Sequence, residues 1–182
     1  MSIRASVFIA TSLDGFIARL DDQIDWLDRA NSVVPPGEDC GYKSFIASVD
    51  VLVMGRATFE KALTFPEWPY RGKRVVVLSS RGVAIPEALT GEVSTSAEAP
   101  RALVERLASE GARHLYVDGG KTIQSFLPDG LITDLTVTTI PVLLGRGKPL
   151  FGALPSDIWL EHLSTIAYPF GFVQTTYRVT TG

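Results

Sequence analysis

Three short apolar runs, each opening directly into a turn of small and polar residues, constrain this chain more than any other feature. They are Val51-Leu52-Val53-Met54 into Gly55-Arg56-Ala57-Thr58, Val75-Val76-Val77-Leu78 into Ser79-Ser80-Arg81-Gly82, and His114-Leu115-Tyr116-Val117 into Asp118-Gly119-Gly120-Lys121-Thr122. Nearly unbroken β-formers predict strands covered on both faces, as in a parallel sheet. Their C-terminal turns would then lie along one sheet edge, with backbone N–H groups, hydroxyls and guanidinium groups close together. Tight glycine turns and helix starts favour anions. Three such turns predict a dinucleotide lying across a crevice.

The rest of the chain extends this pattern. Residues 3–10 read as a buried strand, ended by a turn at Thr11-Ser12-Leu13-Asp14-Gly15. A short exposed helix is expected within 21–30, a loop over 31–41, and a helix carrying Tyr42, Phe45, Ile46 and Val49. Further helices are expected at about 57–63, from about Pro100 to Gly111, and at 122–127. Residues 135–142, 158–167 and 173–180 read as longer strands without intervening helices, so the C-terminal third is expected to be antiparallel. The fold class is α/β: one domain spanning 1–182, with about eight strands, parallel first and antiparallel at the end.

Charge and cysteine content narrow the function classes. A formal net charge of -3 and a pI near 5.4 argue against nucleic acid or an anionic membrane as the main partner. Cys40 is the only cysteine, so no intrachain disulfide forms and no thiolate cluster holds a metal. The apolar run 7–10 is too short for a signal-peptide core or a membrane span. These features predict a cytoplasmic protein without a metal site.

Within the turns, Gly55 allows close approach of a ligand, Arg56 offers a planar fork of donors to phosphate, and Thr58 adds a hydroxyl. The plain alternative is a strand-to-helix turn with a surface arginine. Ser79, Ser80 and Arg81 suit the 2′-phosphate that separates NADP from NAD, against a simple polar turn. Gly119-Gly120 is the sharper signal, since paired glycines carry an entropic cost unless close approach requires them. No Gly-x-Gly-x-x-Gly fingerprint occurs, which disfavours an ordinary Rossmann dehydrogenase. His114, His162 and the three tryptophans read as structural or interface residues. His-x-Glu and Cys-x-x-Cys are absent, which excludes zinc-dependent deamination.

Five stretches, in order along the chain, resemble the dihydrofolate reductase-like superfamily. The similarity is strongest to the reductase domain of the riboflavin-biosynthesis deaminase-reductase and its stand-alone relatives. The stretches are Thr11-Ser12-Leu13-Asp14-Gly15-Phe16-Ile17-Ala18, Val53-Met54-Gly55-Arg56-Ala57-Thr58-Phe59-Glu60, Val76-Val77-Leu78-Ser79-Ser80, Val117-Asp118-Gly119-Gly120 and Ile140-Pro141-Val142-Leu143-Leu144-Gly145-Arg146-Gly147. The resemblance implies a three-layer α/β/α fold, NADPH as cofactor, and reduction of a substrate of the 5-amino-6-(5-phosphoribosylamino)uracil type. It also implies a homodimer through the C-terminal strands.

Carried over residue by residue, Gly55, Arg56 and Thr58 would hold the pyrophosphate, and Ser79, Ser80 and Arg81 the 2′-phosphate. Gly119, Gly120, Lys121 and Thr122 would complete the cradle, with Ala10 and Thr11 against the nicotinamide. The Asp14 loop would lie beside the hydride-transfer site, although Asp14-Gly15 equally reads as a bare turn. An acid on the first long helix contacts the pterin in dihydrofolate reductases. Counting back from Met54 without gaps reaches Asp39, whereas alignment on Phe45 with a gap reaches Gly41, and a solvated loop carboxylate is the alternative for Asp39. Related reductases often carry Glu where this chain has Asp118, an acid that would orient a sugar hydroxyl or cap a helix. Arg146 and Lys148 read either as contacts to a substrate phosphate or as a charged hairpin loop. A dihydrofolate reductase and a non-catalytic NADP-binding module are the alternative functions.

Overall fold

The valine-rich runs become strands because branched side chains pack well on a pleated surface covered on both sides. The computed structural model describes residues 3–180; residues 1, 2, 181 and 182 of the expected domain lie outside the described residues. In chain order the elements are β1 (Arg4–Ser12), β2 (Phe16–Ala18), α1 (Asp25–Asn31), α2 (Tyr42–Ser48), β3 (Val51–Gly55), α3 (Arg56–Ala62), β4 (Arg74–Leu78) and β5 (Val93–Ser96). They continue with α4 (Pro100–Ser109), β6 (His114–Asp118), α5 (Gly120–Phe126), β7 (Asp134–Ile140), β8 (Lys148–Pro149), β9 (Leu160–Ala167) and β10 (Val173–Val179).

Eight strands form one sheet in the order β5-β4-β3-β6-β1-β7-β10-β9. The six from β5 to β7 run parallel, and β10 is antiparallel to both β7 and β9. The mixed sheet is therefore as the sequence predicts, with β7, β10 and β9 antiparallel in turn, and β7 joins them to the parallel part by its pairing with β1. Alternation along the central strands divides the core in two. Val51, Val53 and Val76 face Leu103, Leu107, Ile123 and Phe126 of α4 and α5. Leu52, Met54, Val75 and Val77 face Phe59 and Ala62 of α3 and Phe45 and Ile46 of α2. One sheet between two helical layers follows.

Local departures from the expected elements have local causes. Thr11 and Ser12 belong to β1 rather than to a turn, because their backbones pair with Thr139 and Ile140. The chain turns only after them, where the Gly15 N–H donates to the Ser12 carbonyl at 2.9 Å. Helix α5 starts at Gly120 rather than Thr122, since the Ile123 N–H already donates to the Gly119 carbonyl at 2.9 Å. A small second sheet of β2 and β8 has no counterpart in the sequence pattern; both strands are too short to show a period.

His114 is structural, with Nε2 2.8 Å from the Ser6 hydroxyl and Nδ1 3.0 Å from the Ser48 carbonyl. Among the described residues, no helix is long and apolar enough to cross a membrane.

Phe126 has no exposed surface and lies in the core beneath α4 and α5. Phe126→Ala is expected to lower the unfolding free energy by about 3–5 kcal/mol, read from urea denaturation, through lost transfer energy and the cavity left behind.

Candidate functional site

Parallel registry fixes where the site can form. Gly55 pairs with Leu78 and Met54 with Asp118, so β3, β4 and β6 end together. Their turns line a cleft of about 840 Å³ at the C-terminal edge of the sheet. Ala10, Gly55, Arg56, Thr58, Ser79, Ser80, Arg81, Gly119, Gly120, Lys121 and Thr122 all border it, as does Asp118. Thr11, buried in β1, is not part of the lining.

The floor of the cleft explains its glycines. Gly119 has φ +90°, and a Cβ there would lie 2.2 Å from Thr58 Oγ1. Conversely, a Cβ on Gly55 would lie 3.0 Å from Thr122 Oγ1. Each turn's glycine thus receives the threonine that follows the other turn. Gly120 is confined as well: a Cβ would meet Ile17 Cδ1 at 2.9 Å and the Pro149 carbonyl at 3.1 Å. Side chains at Gly119 and Gly120 would collide with these neighbours, so the turns approach one another this closely only without a Cβ.

The lining is basic although the chain is acidic. Arg56, Lys61, Arg81, Lys121 and Lys148 face two acids, Asp22 and Asp118. Asp22 is ion-paired with Lys148. Asp118 accepts the Gly119 N–H at 2.8 Å on one oxygen and the Tyr70 hydroxyl at 3.4 Å on the other. Burial pushes its carboxyl up to about 6, and the two hydrogen bonds oppose that rise only in part. Burial, with the Asp118 charge nearby, pushes Tyr42 up to about 12 and also raises Tyr70. The Ser79 hydroxyl is engaged within its own turn, donating to the Gly82 carbonyl at 3.0 Å.

Three of the expected substrate-side residues lie away from this lining. Asp39 sits ahead of α2, and its carboxylate accepts the N–H groups of Gly41 and Lys43 at 3.0 and 3.1 Å. Asp14 accepts the Ser12 hydroxyl at 2.6 Å and the Gly145 N–H at 2.7 Å, which tethers its loop to the 143–145 turn and lowers its pKa. Phe45 stacks on Phe8 at 4.8 Å and meets the Tyr116 ring edge-on at 5.0 Å within the core.

Other residues reach the cleft from places that the sequence pattern, Lys148 apart, does not single out. Tyr70 enters from the loop between α3 and β4, and Lys61 from the end of α3. Gln124 ties α5 to the β8 segment by donating to the Pro149 carbonyl at 3.0 Å. Lys148 borders the cleft whereas Arg146 does not. Of these four, Lys148 alone is singled out by the sequence, as a contact to a substrate phosphate or part of a charged hairpin loop.

A family model described as the RibD C-terminal domain matches residues 5–173. The chain belongs to that family. It is 36% identical over 166 residues to the uncharacterized protein YwjB of Bacillus subtilis (strain 168), covering 88% of this chain and 90% of that protein. A solved structure of a candidate riboflavin biosynthesis protein from Shewanella sp. PV-4 superposes with a TM-score of 0.91 at 38% identity, over 98% of this chain and 100% of the other. A Thermotoga maritima diaminohydroxyphosphoribosylaminopyrimidine deaminase/5-amino-6-(5-phosphoribosylamino)uracil reductase shares the fold, with a TM-score of 0.75 at 14% identity. That match covers 98% of this chain and 57% of the longer one. The RibD C-terminal domain fold is thus the dihydrofolate reductase-like architecture that the motifs imply.

Gly119→Ala is expected to destabilise the fold by about 1–3 kcal/mol through its backbone alone, since φ +90° with ψ +136° lies outside the left-handed helical well. The clash with Thr58 adds to that cost. Urea denaturation of Gly119→Ala with Thr58→Ala should recover the steric share and leave the conformational share.

Proposed function

We propose that this RibD C-terminal domain protein is a cytoplasmic NADPH-dependent reductase that transfers hydride to a small heterocyclic substrate of the 5-amino-6-(5-phosphoribosylamino)uracil class. One observation carries the reading: five basic side chains and an interlocked pair of glycine turns meet in one cleft of an acidic protein. An anionic dinucleotide fits that combination, because guanidinium and ammonium groups meet its phosphates while glycine leaves main-chain amides within reach. Family membership, and the 5-amino-6-(5-phosphoribosylamino)uracil reductase activity in the name of the Thermotoga maritima protein that shares the fold, support the substrate class.

In this reading Arg56, Thr58, Lys121 and Thr122 hold the pyrophosphate beside Gly55, Gly119 and Gly120. Ser80 and Arg81 meet the 2′-phosphate, where a planar cation makes charge-assisted bonds. The backbone at Ala10 borders the nicotinamide end. NADPH, when bound, supplies the hydride. The chain's own share of the chemistry is to orient the reactants, exclude water and manage protons. Ile17, Pro149 and the Gln124 tie form a wall that shields the Gly120 side of the cleft.

Calorimetry should show NADPH binding more tightly than NADH, and Arg81→Ala should narrow the difference. Arg56→Ala should weaken both by about 1.5–3 kcal/mol, the range for a hydrogen bond to a charged group. No measurable affinity of the folded protein for NADPH would overturn the proposal. Turnover of the phosphoribosylaminouracil substrate supports the assigned class, whereas turnover of dihydrofolate with inhibition by methotrexate would replace it.

A homodimer through the C-terminal strands belongs to the same proposal. Strand β9 is an exposed sheet edge carrying Leu160, Leu163 and Ile166, and edges of this kind invite pairing. Light scattering should give twice the chain mass of 19.7 kDa, and a monomer mass would remove this element.

A further inference from the structure

The cleft contains one acid whose surroundings differ from those of every other carboxylate bordering it. Asp118 keeps part of its surface open to the cleft, yet protein atoms surround its carboxyl. The Tyr70 hydroxyl, from the loop before β4, reaches it at 3.4 Å, and the Tyr42 and Tyr116 phenols lie near enough to feel its charge, the Tyr116 hydroxyl itself donating to the Phe8 carbonyl. None of the ion pairs among the described residues involves it. By contrast, Asp22 on the same lining is paired with Lys148. A carboxyl walled by phenols and unpaired with a cation is suited to holding a proton rather than a charge.

Position adds a second argument. Asp118 stands at the end of β6, immediately before the Gly119-Gly120 turn, and its backbone pairs with Met54 next to Gly55. Because β6 lies between β3 and β1, the acid stands between the glycine turns and the Ala10 end of the same cleft, and both its hydrogen-bond partners hold it there. The Gly119 N–H fixes one oxygen at 2.8 Å; the Tyr70 hydroxyl, itself on the lining, approaches the other.

We propose that Asp118 is the proton donor of the cleft, with Tyr70 as the residue that positions its carboxyl. The proposal deepens the reductase reading and rests on it. Reduction of a C=N or C=O bond places a hydride on carbon and releases the π electron pair onto the heteroatom, which then needs one proton. The protonated Asp118 oxygen gives that proton to the heteroatom and becomes a carboxylate. Water restores the proton after product leaves. Dihydronicotinamide is the reductant, so electrons and protons balance. Bound phosphate charge adds to the field that favours the protonated acid, since a second negative charge nearby disfavours ionisation.

The test separates this role from cofactor binding. Infrared difference spectra of the full-length, ligand-free protein should contain a protonated-carboxyl band that disappears with a midpoint near pH 6 and is absent from Asp118→Asn. Tyr70→Phe should move the midpoint upward, because the lost hydroxyl donor favours the carboxylate. Stability gives an independent readout. A raised acid contributes stability below its unfolded pKa that is lost as pH rises through the folded value. The melting temperature of Asp118→Asn should therefore rise relative to the parent protein from pH 4 to above 6 and then level off.

With NADPH and 5-amino-6-(5-phosphoribosylamino)uracil as probes, Asp118→Asn should lower kcat by about 100-fold or more, the range for losing a positioned acid. NADPH affinity should stay within about threefold. A carboxyl midpoint near pH 4, or an Asp118→Asn variant with an unchanged kcat–pH profile, overturns the assignment. Loss of NADPH binding by the parent protein would instead overturn the reductase reading itself.

Discussion

The site depends on the reciprocal seating of two threonines over two glycines. Strands β3 and β6 are neighbours, with Val53 opposite Val117, so their C-terminal turns lie side by side. The chain leaves β3 toward the face covered by α3 and leaves β6 toward the face covered by α5. Two connections departing to opposite faces from adjacent strands open a crevice between them. Thr58 over Gly119 and Thr122 over Gly55 close the base of that crevice, at a distance that no Cβ at Gly119 could share and that a Cβ at Gly55 would meet only by displacing Thr122. Packing the sheet and shaping the cleft are consequently one requirement, since core residues such as Val53 and Val117 set the register from which both turns emerge.

Charge is distributed to match. Several acids are held in ion pairs away from the cleft: Glu98 and Glu110 engage Arg106, Glu110 also meets Arg74, and Glu161 meets Arg178. Within the cleft, Asp22 is neutralised by Lys148, and burial favours the neutral form of Asp118. Lys148 is paired with Asp22 and Arg56 lies 3.4 Å from Glu60, so Lys61, Arg81 and Lys121 are the basic side chains of the lining outside the ion pairs found among the described residues, despite a net charge of -3 overall. A concave wall concentrates such a field and attracts anions from solution, although salt screens it beyond about 8–10 Å.

What could be read from the chain was whatever is encoded over a few consecutive residues. Strands β3, β4 and β6 were legible because valine and leucine runs end abruptly in glycine or serine, and the turns' place on one edge follows from parallel pairing. Tyr70 was not legible, because only the long connection after α3 brings it back over β6. The β2–β8 pair depends equally on contacts about 130 residues apart, and so does the choice between the two readings of Lys148. Asp39 and Asp14 illustrate a different limit: an acid before a helix or in a glycine turn has the same local sequence whether it caps backbone N–H groups or meets a ligand. Here both bond main-chain amides. Thr11 shows that hydroxyl residues before a turn can continue a strand when a partner such as Thr139 is available.

The aspartate before the glycine pair ties these points together. A glutamate there would reach one methylene farther, whereas the shorter acid stays close enough to accept its neighbour's N–H at 2.8 Å. It is thereby retained among Tyr42, Tyr70 and Tyr116, in the same low-dielectric environment that raises all three phenols. With Tyr42 pushed up to about 12 and the other two also raised, those hydroxyls remain donors throughout the neutral range. Only the carboxyl of this cluster changes charge near neutrality. Of the groups gathered at this end of the crevice, the carboxyl alone exchanges a proton near neutrality, and the Gly119 N–H and the Tyr70 hydroxyl keep it in place.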